Sequence, residues 1–331
     1  MEYERIVTHG DFDGLVSAAI CSYAEGVERF VFTGPNSIAR AEISIDMRDI
    51  VCDLPYPLEC GLWFDHHPGN LEALKLRGID PETIPGRFDE KPSCARVVYE
   101  FYSSGGGRLL PSHFAETADE ADRIDSFDYR SIEEWRRETP GKLVDMSLKV
   151  YFPGPREQTK YLNYLVPLLR DHSLAEILED PSVASNLERY RVEEERMSAF
   201  IERSISFLPQ DTGHQIIILD FTHHKRRTRV VKNLAYLHHP QALAALTLNP
   251  LFHRGVKTND FSVSMSLSMN LTDRNHGKDV GDIMRTLDIG DGHIGAAAGI
   301  VHCGTKEEML RIKEKTLSGI WKLWGGSRDP D

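Results

Sequence analysis

Short apolar runs that finish in acidic residues constrain this chain more than any other feature. RIVTHGDFD, DIVCDLP and LWFDHHP are each long enough for one strand; GLVSAAICSYAEG and SCARVVYEFYSSGGG read as helices, and RFVFTG as a further strand. Strands alternating with helical crossovers pair in parallel, so the N-terminal region is expected to be a parallel sheet with helices on both faces. From about residue 112 to 180 the pattern is mostly helical. The segment PSVASNLERYRVEEERMSAFIERSISFLP places Leu187, Tyr190, Met197, Ile201, Ile205 and Leu208 at spacings of three, four and seven, which predicts one amphipathic helix ending at Pro209. Beyond it, HQIIILDFT, ALAALTL and FSVSMSL read as strands, followed by a helix DVGDIMRTL, a glycine-rich turn GDGHIGAAAG and a terminal helix. The expected organisation is an α/β domain over 1–185, a linker helix over 186–209 and a smaller α/β domain over 210–331.

Composition narrows the function. A chain of 331 residues with 40% apolar and 27% charged side chains has enough material for about two packed domains. No apolar run approaches ~18 residues and the N-terminus lacks a basic-then-apolar leader, so neither a membrane span nor a signal peptide is expected, and the default location is cytoplasmic. Five cysteines without paired spacing argue against a disulfide framework or a thiolate zinc site, and are expected to be reduced and mostly buried. A net charge of −12 argues against coating long duplex DNA, which needs many cations on phosphates.

In open α/β sheets ligands bind beyond the carboxyl ends of the strands, so the acids that finish these three runs are expected to share one crevice. If the first strand runs on, His9, Asp11 and Asp13 project to one side of it. Asp53 ends the second run, and Asp65, His66 and His67 end the third. Side-by-side carboxylates repel unless a cation sits between them. Imidazole and carboxylate ligands without thiolates suit Mn²⁺, with Mg²⁺ as the second choice. The number of donors suffices for two ions, the arrangement that activates a water and steadies an in-line phosphoryl displacement. Gly14 is expected to let the next helix start close to the bound charge. A further acid is expected from ETADEADRIDSFDY, where Asp119, Asp122 and Asp125 lie three apart on about one helical face.

Taken in order, HGDFDG, the Asp of VCDLP, DHH and the Asp of EADRIDS resemble the four motifs of the DHH phosphoesterase family, and GDGHIGAAAG resembles the GGGH signature of its associated second domain. The resemblance implies a two-manganese phosphohydrolase with its active site between a DHH domain and a DHH-associated domain, which would have to close on each other. It implies that His9 and Asp11 bind one ion, Asp13, His66 and Asp122 the other, and that Asp53 bridges them. Asp122 is preferred to Asp125 because the AD of EADRIDS fits the fourth motif better. His67 would face the scissile phosphate, Asp65 would orient a histidine, and His293 would approach the substrate. Gly290, Gly292 and Gly295 are expected to let backbone approach phosphate oxygens.

Two departures bear on the substrate. Asp291 stands where the signature has its middle glycine, and SLSMN places Ser268 where many members carry a substrate-binding arginine. Arg285, Lys278 and the basic run HHKRRTR (His223 to Arg229) are the candidate replacements, with Arg285 taken as a substrate contact. His238 and His239 lack nearby acids and are expected at a helix end. The expected partner is a short oligonucleotide, a nucleotide or another phosphorylated small molecule, with a homodimer as an option. A nucleotide-binding regulator without turnover and a polyphosphate hydrolase are the alternatives.

Overall fold

The computed structural model describes residues 2–104, 109–226, 228–271 and 277–325; Gly105 to Gly107 of the expected helix end and Arg227 of the basic run lie outside these described residues. The strands are β1 (Arg5–Thr8), β2 (Phe30–Phe32), β3 (Asp49–Cys52), β4 (Leu62–Asp65), β5 (Gly86–Phe88), β6 (Ile205–Ser206), β7 (Ile216–Asp220), β8 (Ala244–His253), β9 (Val256–Leu267), β10 (Gly290–His293) and β11 (Ala296–Val301). The helices are α1 (Phe12–Glu25), α2 (Pro35–Ala39), α3 (Pro68–Leu76), α4 (Cys94–Ser104), α5 (His113–Asp125), α6 (Ile132–Arg136), α7 (Pro140–Leu148), α8 (Pro155–Asp171), α9 (Leu174–Leu178), α10 (Pro181–Ser204), α11 (Ala235–His238), α12 (Val280–Thr286) and α13 (Lys306–Gly325). They form two compact units, one of residues 1–128 and 138–192, the other of 129–137 and 193–331.

The first unit holds a five-stranded sheet of order β2-β1-β3-β4-β5, parallel at every pairing. Alternation along each strand sends Ile6, Ile50, Cys52, Leu62 and Phe64 into a core with α1, α4, α5 and α8. Val7, Val51 and Trp63 point the other way, to a smaller core containing Ile38 of α2 and Leu74 of α3. The expected parallel sheet with helices on both faces is therefore present. The order reverses between β1 and β3, which leaves a crevice at their carboxyl ends.

The second unit holds a mixed sheet of order β10-β11-β9-β8-β7-β6, in which only β7 and β8 pair in parallel. Phe261, Val263 and Met265 of β9, with Leu246 and Leu248 of β8, pack on Ile283 and Met284 of α12 and on Ile320 and Trp324 of α13.

Three local expectations differ from the structure. β1 stops at Thr8, because Asp11 adopts extended dihedrals and caps α1 by accepting from the Gly14 N–H. The long helix ends at Ser204, where Ile205 begins β6 against Leu219 rather than continuing to Pro209. The glycine-rich turn is a hairpin in which β10 pairs with β11. Of the five cysteines, all free, four are buried. Among the described residues, no helix is long and apolar enough to cross a membrane.

Candidate metal centre

The carboxyl ends of β1, β3 and β4 bring together His9, Asp11, Asp13, Asp53, His66 and His67, as the sequence order suggests. Each arrives by its own local device. Asp11 is the cap of α1, and its other oxygen lies 2.6 Å from His9 Nδ1. Gly14 is required here because a Cβ would stand 2.4 Å from the His9 carbonyl oxygen, so α1 starts pressed against the end of β1. Asp13, in the first turn of α1, is 2% exposed and accepts the backbone N–H groups of Cys94 and Ala95 at 2.8 and 2.7 Å. It thus stands over the N-terminus of α4, where two orphan amides and the helix dipole favour an anion.

Asp53 follows β3 at φ 56°, a left-handed conformation that is uncommon outside glycine, while its N–H still donates to Phe64 O of β4 at 3.0 Å. Strain of this kind is tolerated where surrounding structure enforces it, and it commonly marks functional positions. Asp65 is fully buried and accepts from His67 Nδ1 at 2.9 Å and Asn70 Nδ2 at 2.6 Å, so it orients His67 at the start of α3. His66 donates through Nδ1 to Lys91 O at 3.0 Å. A carbonyl can only accept, so in the neutral ring the lone pair is on Nε2.

That lone pair faces three carboxylates: Asp125 at 3.4 Å, Asp53 at 3.6 Å and Asp13 at 3.7 Å. Among the described residues, neither His66 Nε2 nor Asp53 Oδ1, both buried, has a hydrogen-bond partner. Buried acceptors clustered without donors cost free energy unless a cation joins them. The residues therefore fit divalent metal. Among the described residues, three groups have ligand atoms within 4.8 Å of one another: His9, Asp11 and Asp53; Asp13, His66 and Asp125; Asp53, His66 and His67. A cavity of about 270 Å³ lined by His66, His67, Lys91, Pro92 and Asp125, among others, opens beside them.

The charge balance agrees with this. Burial, together with Asp53 and Asp125, holds the Asp13 carboxyl well above its ordinary range. Asp53 is raised well above it by burial and by Asp11, and Asp125 is raised mainly by burial. Burial pushes Asp11 upward, but its hydrogen bond and charge attraction to His9, together with the Gly14 N–H, outweigh this and leave it lowered. Hydrogen bonds to Asp11 and Asp65 raise His9 and His67 respectively.

One expected residue does not reach the cluster. Asp122 is held 2.8 Å from Arg96 Nε and 2.6 Å from Ser93 Oγ, so its charge is already balanced; Asp125, at the end of α5, is the acid that faces His66. The choice of Asp122 over Asp125 is corrected accordingly. Sequence reading also missed the amides of Cys94 and Ala95, although a Pro-Ser pair before the apolar run of α4 is a helix-start signal.

In the second unit, His293 is exposed on β10, and its Nδ1 accepts from Gly295 N–H at 3.1 Å, which leaves the proton on Nε2. A Cβ at Gly290 would meet Ala298 O at 2.2 Å and one at Gly292 would meet Ala296 O at 2.4 Å. Those two glycines admit the β11 backbone rather than a phosphate, and Gly295 is not tightly packed. Arg285 donates to Asp291 at 2.8 Å and to Gly292 O at 2.9 Å, so it neutralises the unexpected carboxylate of the hairpin. Ser268 is 3% exposed, with its Oγ accepting the Asn270 N–H, and Lys278 donates to the Trp324 carbonyl.

The chain shares its fold with solved structures. A pGpG-specific phosphodiesterase, PggH from Vibrio cholerae, superposes with a TM-score of 0.69 at 24% identity, covering 96% of this chain and 99% of that one. RecJ from Thermus thermophilus, solved with Mn²⁺, gives 0.52 at 15% identity over 97% of this chain, which spans 52% of RecJ. No protein-family model and no curated protein sequence matches the chain. At the level of fold, the DHH-type resemblance is the one observed.

Proposed function

We propose that this protein is a divalent-metal-dependent phosphoesterase that cleaves the phosphodiester bond of short oligonucleotides, with a 5′-phosphorylated dinucleotide as the leading substrate. The observation that carries the reading is the pair of buried, partnerless acceptors, His66 Nε2 and Asp53 Oδ1, set among acids at the strand ends. The likeness to a pGpG-specific phosphodiesterase over nearly the whole of both chains supports the choice of substrate.

Two ions, Mn²⁺ first and Mg²⁺ second, would be held by His9, Asp11 and Asp53 on one side and by Asp13, His66, Asp125 and Asp53 on the other. When bound, such ions make water acidic enough to attack at neutral pH and offset charge on the transferring phosphoryl group. The protein's own residues do the rest. Asp65 fixes the His67 ring and favours its protonated form, so a donor faces the phosphoryl oxygens as charge develops there. The Lys91 carbonyl holds His66 in the tautomer that ligates through Nε2. On the second unit, His293 keeps its proton on Nε2, where it would be a donor for a phosphorylated ligand bound there. The location is taken to be cytoplasmic.

The test is hydrolysis of a panel with Mn²⁺ and then with EDTA: a 5′-phosphorylated dinucleotide, a longer RNA, 3′-phosphoadenosine 5′-phosphate, polyphosphate and bis(p-nitrophenyl) phosphate. Metal-dependent cleavage that favours the dinucleotide and disappears in Asp53→Ala is the expected result. If polyphosphate is preferred, the substrate assignment falls. If every substrate survives while calorimetry shows nucleotide binding, the protein is a sensor and the enzymatic reading is wrong.

A further inference from the structure

The sheet of the second unit has two chemically different faces. One is the core described above. On the other, β9 presents Ser262, Ser264 and Ser266, opposite Asn249, Thr247 and Ala245 of β8 and beside Ile300, Ala298 and Ala296 of β11. A row of small polar side chains alone denotes no site. Three further observations give this one a ligand chemistry.

First, Lys232 lies largely buried over this face and donates from Nζ to Ser264 Oγ at 3.0 Å, and among the described residues no carboxylate pairs with it. Burial without a counter-charge lowers its ammonium to about 8. Second, Asn249 Oδ1 and Ser266 Oγ are buried and, among the described residues, have no hydrogen-bond partner. Third, a cavity of about 380 Å³ opens at this face, lined by Thr228, Arg229, Asn249, Pro250, Leu251 and Ser262. Asn249 pairs with Ser262 in the ladder and Thr247 with Ser264, so Lys232 reaches the sheet two residues from the cavity wall, about 7 Å along the strand. Thr228 and Arg229 also line a neighbouring cavity of about 510 Å³ with His224, Lys225 and Arg226, so the basic run of this acidic chain borders the same face.

We propose that this face is a nucleotide subsite, in which Lys232 and Arg229 hold a terminal phosphate and Asn249 accepts a hydrogen bond from an N–H group of the base. The cations account for the anion, and the orphaned amide oxygen for a donor on the same ligand. The choice of a phosphorylated dinucleotide as ligand rests on the phosphoesterase reading.

The experiment is equilibrium binding to the full chain in EDTA, where no metal draws phosphate to the first unit. The ligands are the dinucleotide with and without its 5′-phosphate, and inorganic phosphate; the variants are Lys232→Met, Asn249→Ala and the wild type. The wild type is expected to prefer the 5′-phosphorylated form by roughly ten- to hundredfold, the worth of a hydrogen bond between charged groups. Lys232→Met should lose most of that preference. Asn249→Ala should weaken both dinucleotides alike, by roughly fivefold or more, and leave inorganic phosphate unaffected. The proposal is overturned if the wild type does not discriminate, or if Lys232→Met melts like the wild type and still discriminates. Should Lys232→Met fail to fold, an unchanged dinucleotide affinity in Asn249→Ala overturns it equally. Wild-type cleavage of bis(p-nitrophenyl) phosphate, which carries neither base nor terminal phosphate, reports separately on the phosphoesterase reading.

Discussion

Asp53→Asn should make the metal-free protein more stable and the metal-loaded protein less so. The ligand atoms of His9, Asp11 and Asp53 lie within 4.8 Å of one another. Two carboxylate charges at such a separation repel by about 3–4 kcal/mol at an effective dielectric constant of about 20. His9 at 3.6 Å and His67 at 3.7 Å offset part of this. The raised Asp53 carboxyl escapes more of it by taking up a proton. A neutral amide of the same shape should therefore gain about 1–3 kcal/mol. Asparagine also tolerates φ 56°, whereas Ala at this position would add about 1–2 kcal/mol of backbone strain. For a domain of 150–250 residues, the gain corresponds to a melting temperature higher by about 2–12 °C in EDTA. With Mn²⁺ at a hundred times its Kd, the wild type should gain about 2.7 kcal/mol and the variant far less, so the order reverses. Calorimetric or dye-monitored melts of both proteins, with EDTA and with Mn²⁺ at neutral pH, supply the four numbers. A variant that melts below the wild type in EDTA would refute the argument that unbalanced charge makes this a cation site.

Asp125→Asn should weaken Mn²⁺ binding tenfold or more by titration calorimetry, whereas Asp122→Asn should leave it nearly unchanged; equal losses would remove the distinction drawn from Arg96. Asp13→Ala leaves two amides without an acceptor, at about 1–3 kcal/mol each. Hydrogen exchange at Cys94 and Ala95 should accelerate before that of the rest of α4, and unchanged protection there would exclude the capping role. The folded-state values of Asp13, Asp53, Asp125, His9 and His67 are all raised, so their contribution is fully present below the unfolded values and is lost as pH rises through the folded ones. Metal-free protein should therefore lose melting temperature between roughly pH 5 and 8, and Mn²⁺ should flatten that slope. A melting temperature that rises over this window in EDTA would contradict the sign.

The parallel polarity of the strands in the first unit was legible because short apolar strands between helices leave few other arrangements. The acids at the strand ends were legible for the same reason, since parallel strands must finish at one edge. Other features were set by neighbours distant in sequence. Spacing alone places Asp122 and Asp125 on about one helical face, and only the approach of Arg96 and Ser93 from another element decides which carboxylate stays unpaired. The glycines of the hairpin suggested room for a ligand, but that room is filled by the β11 backbone, which no local pattern reveals.

The sequence by itself determined that the acids and histidines of three strand ends meet at one sheet edge, because residue type and strand polarity are local properties. Only the tertiary structure decided how they are charged and paired. The Lys91 carbonyl selects the His66 tautomer, the start of α4 binds Asp13, and Asp53 is held left-handed with one oxygen partnerless. Those outcomes depend on burial and on atoms far apart in the chain, and electrostatics in a buried site follows distance in space rather than order in sequence.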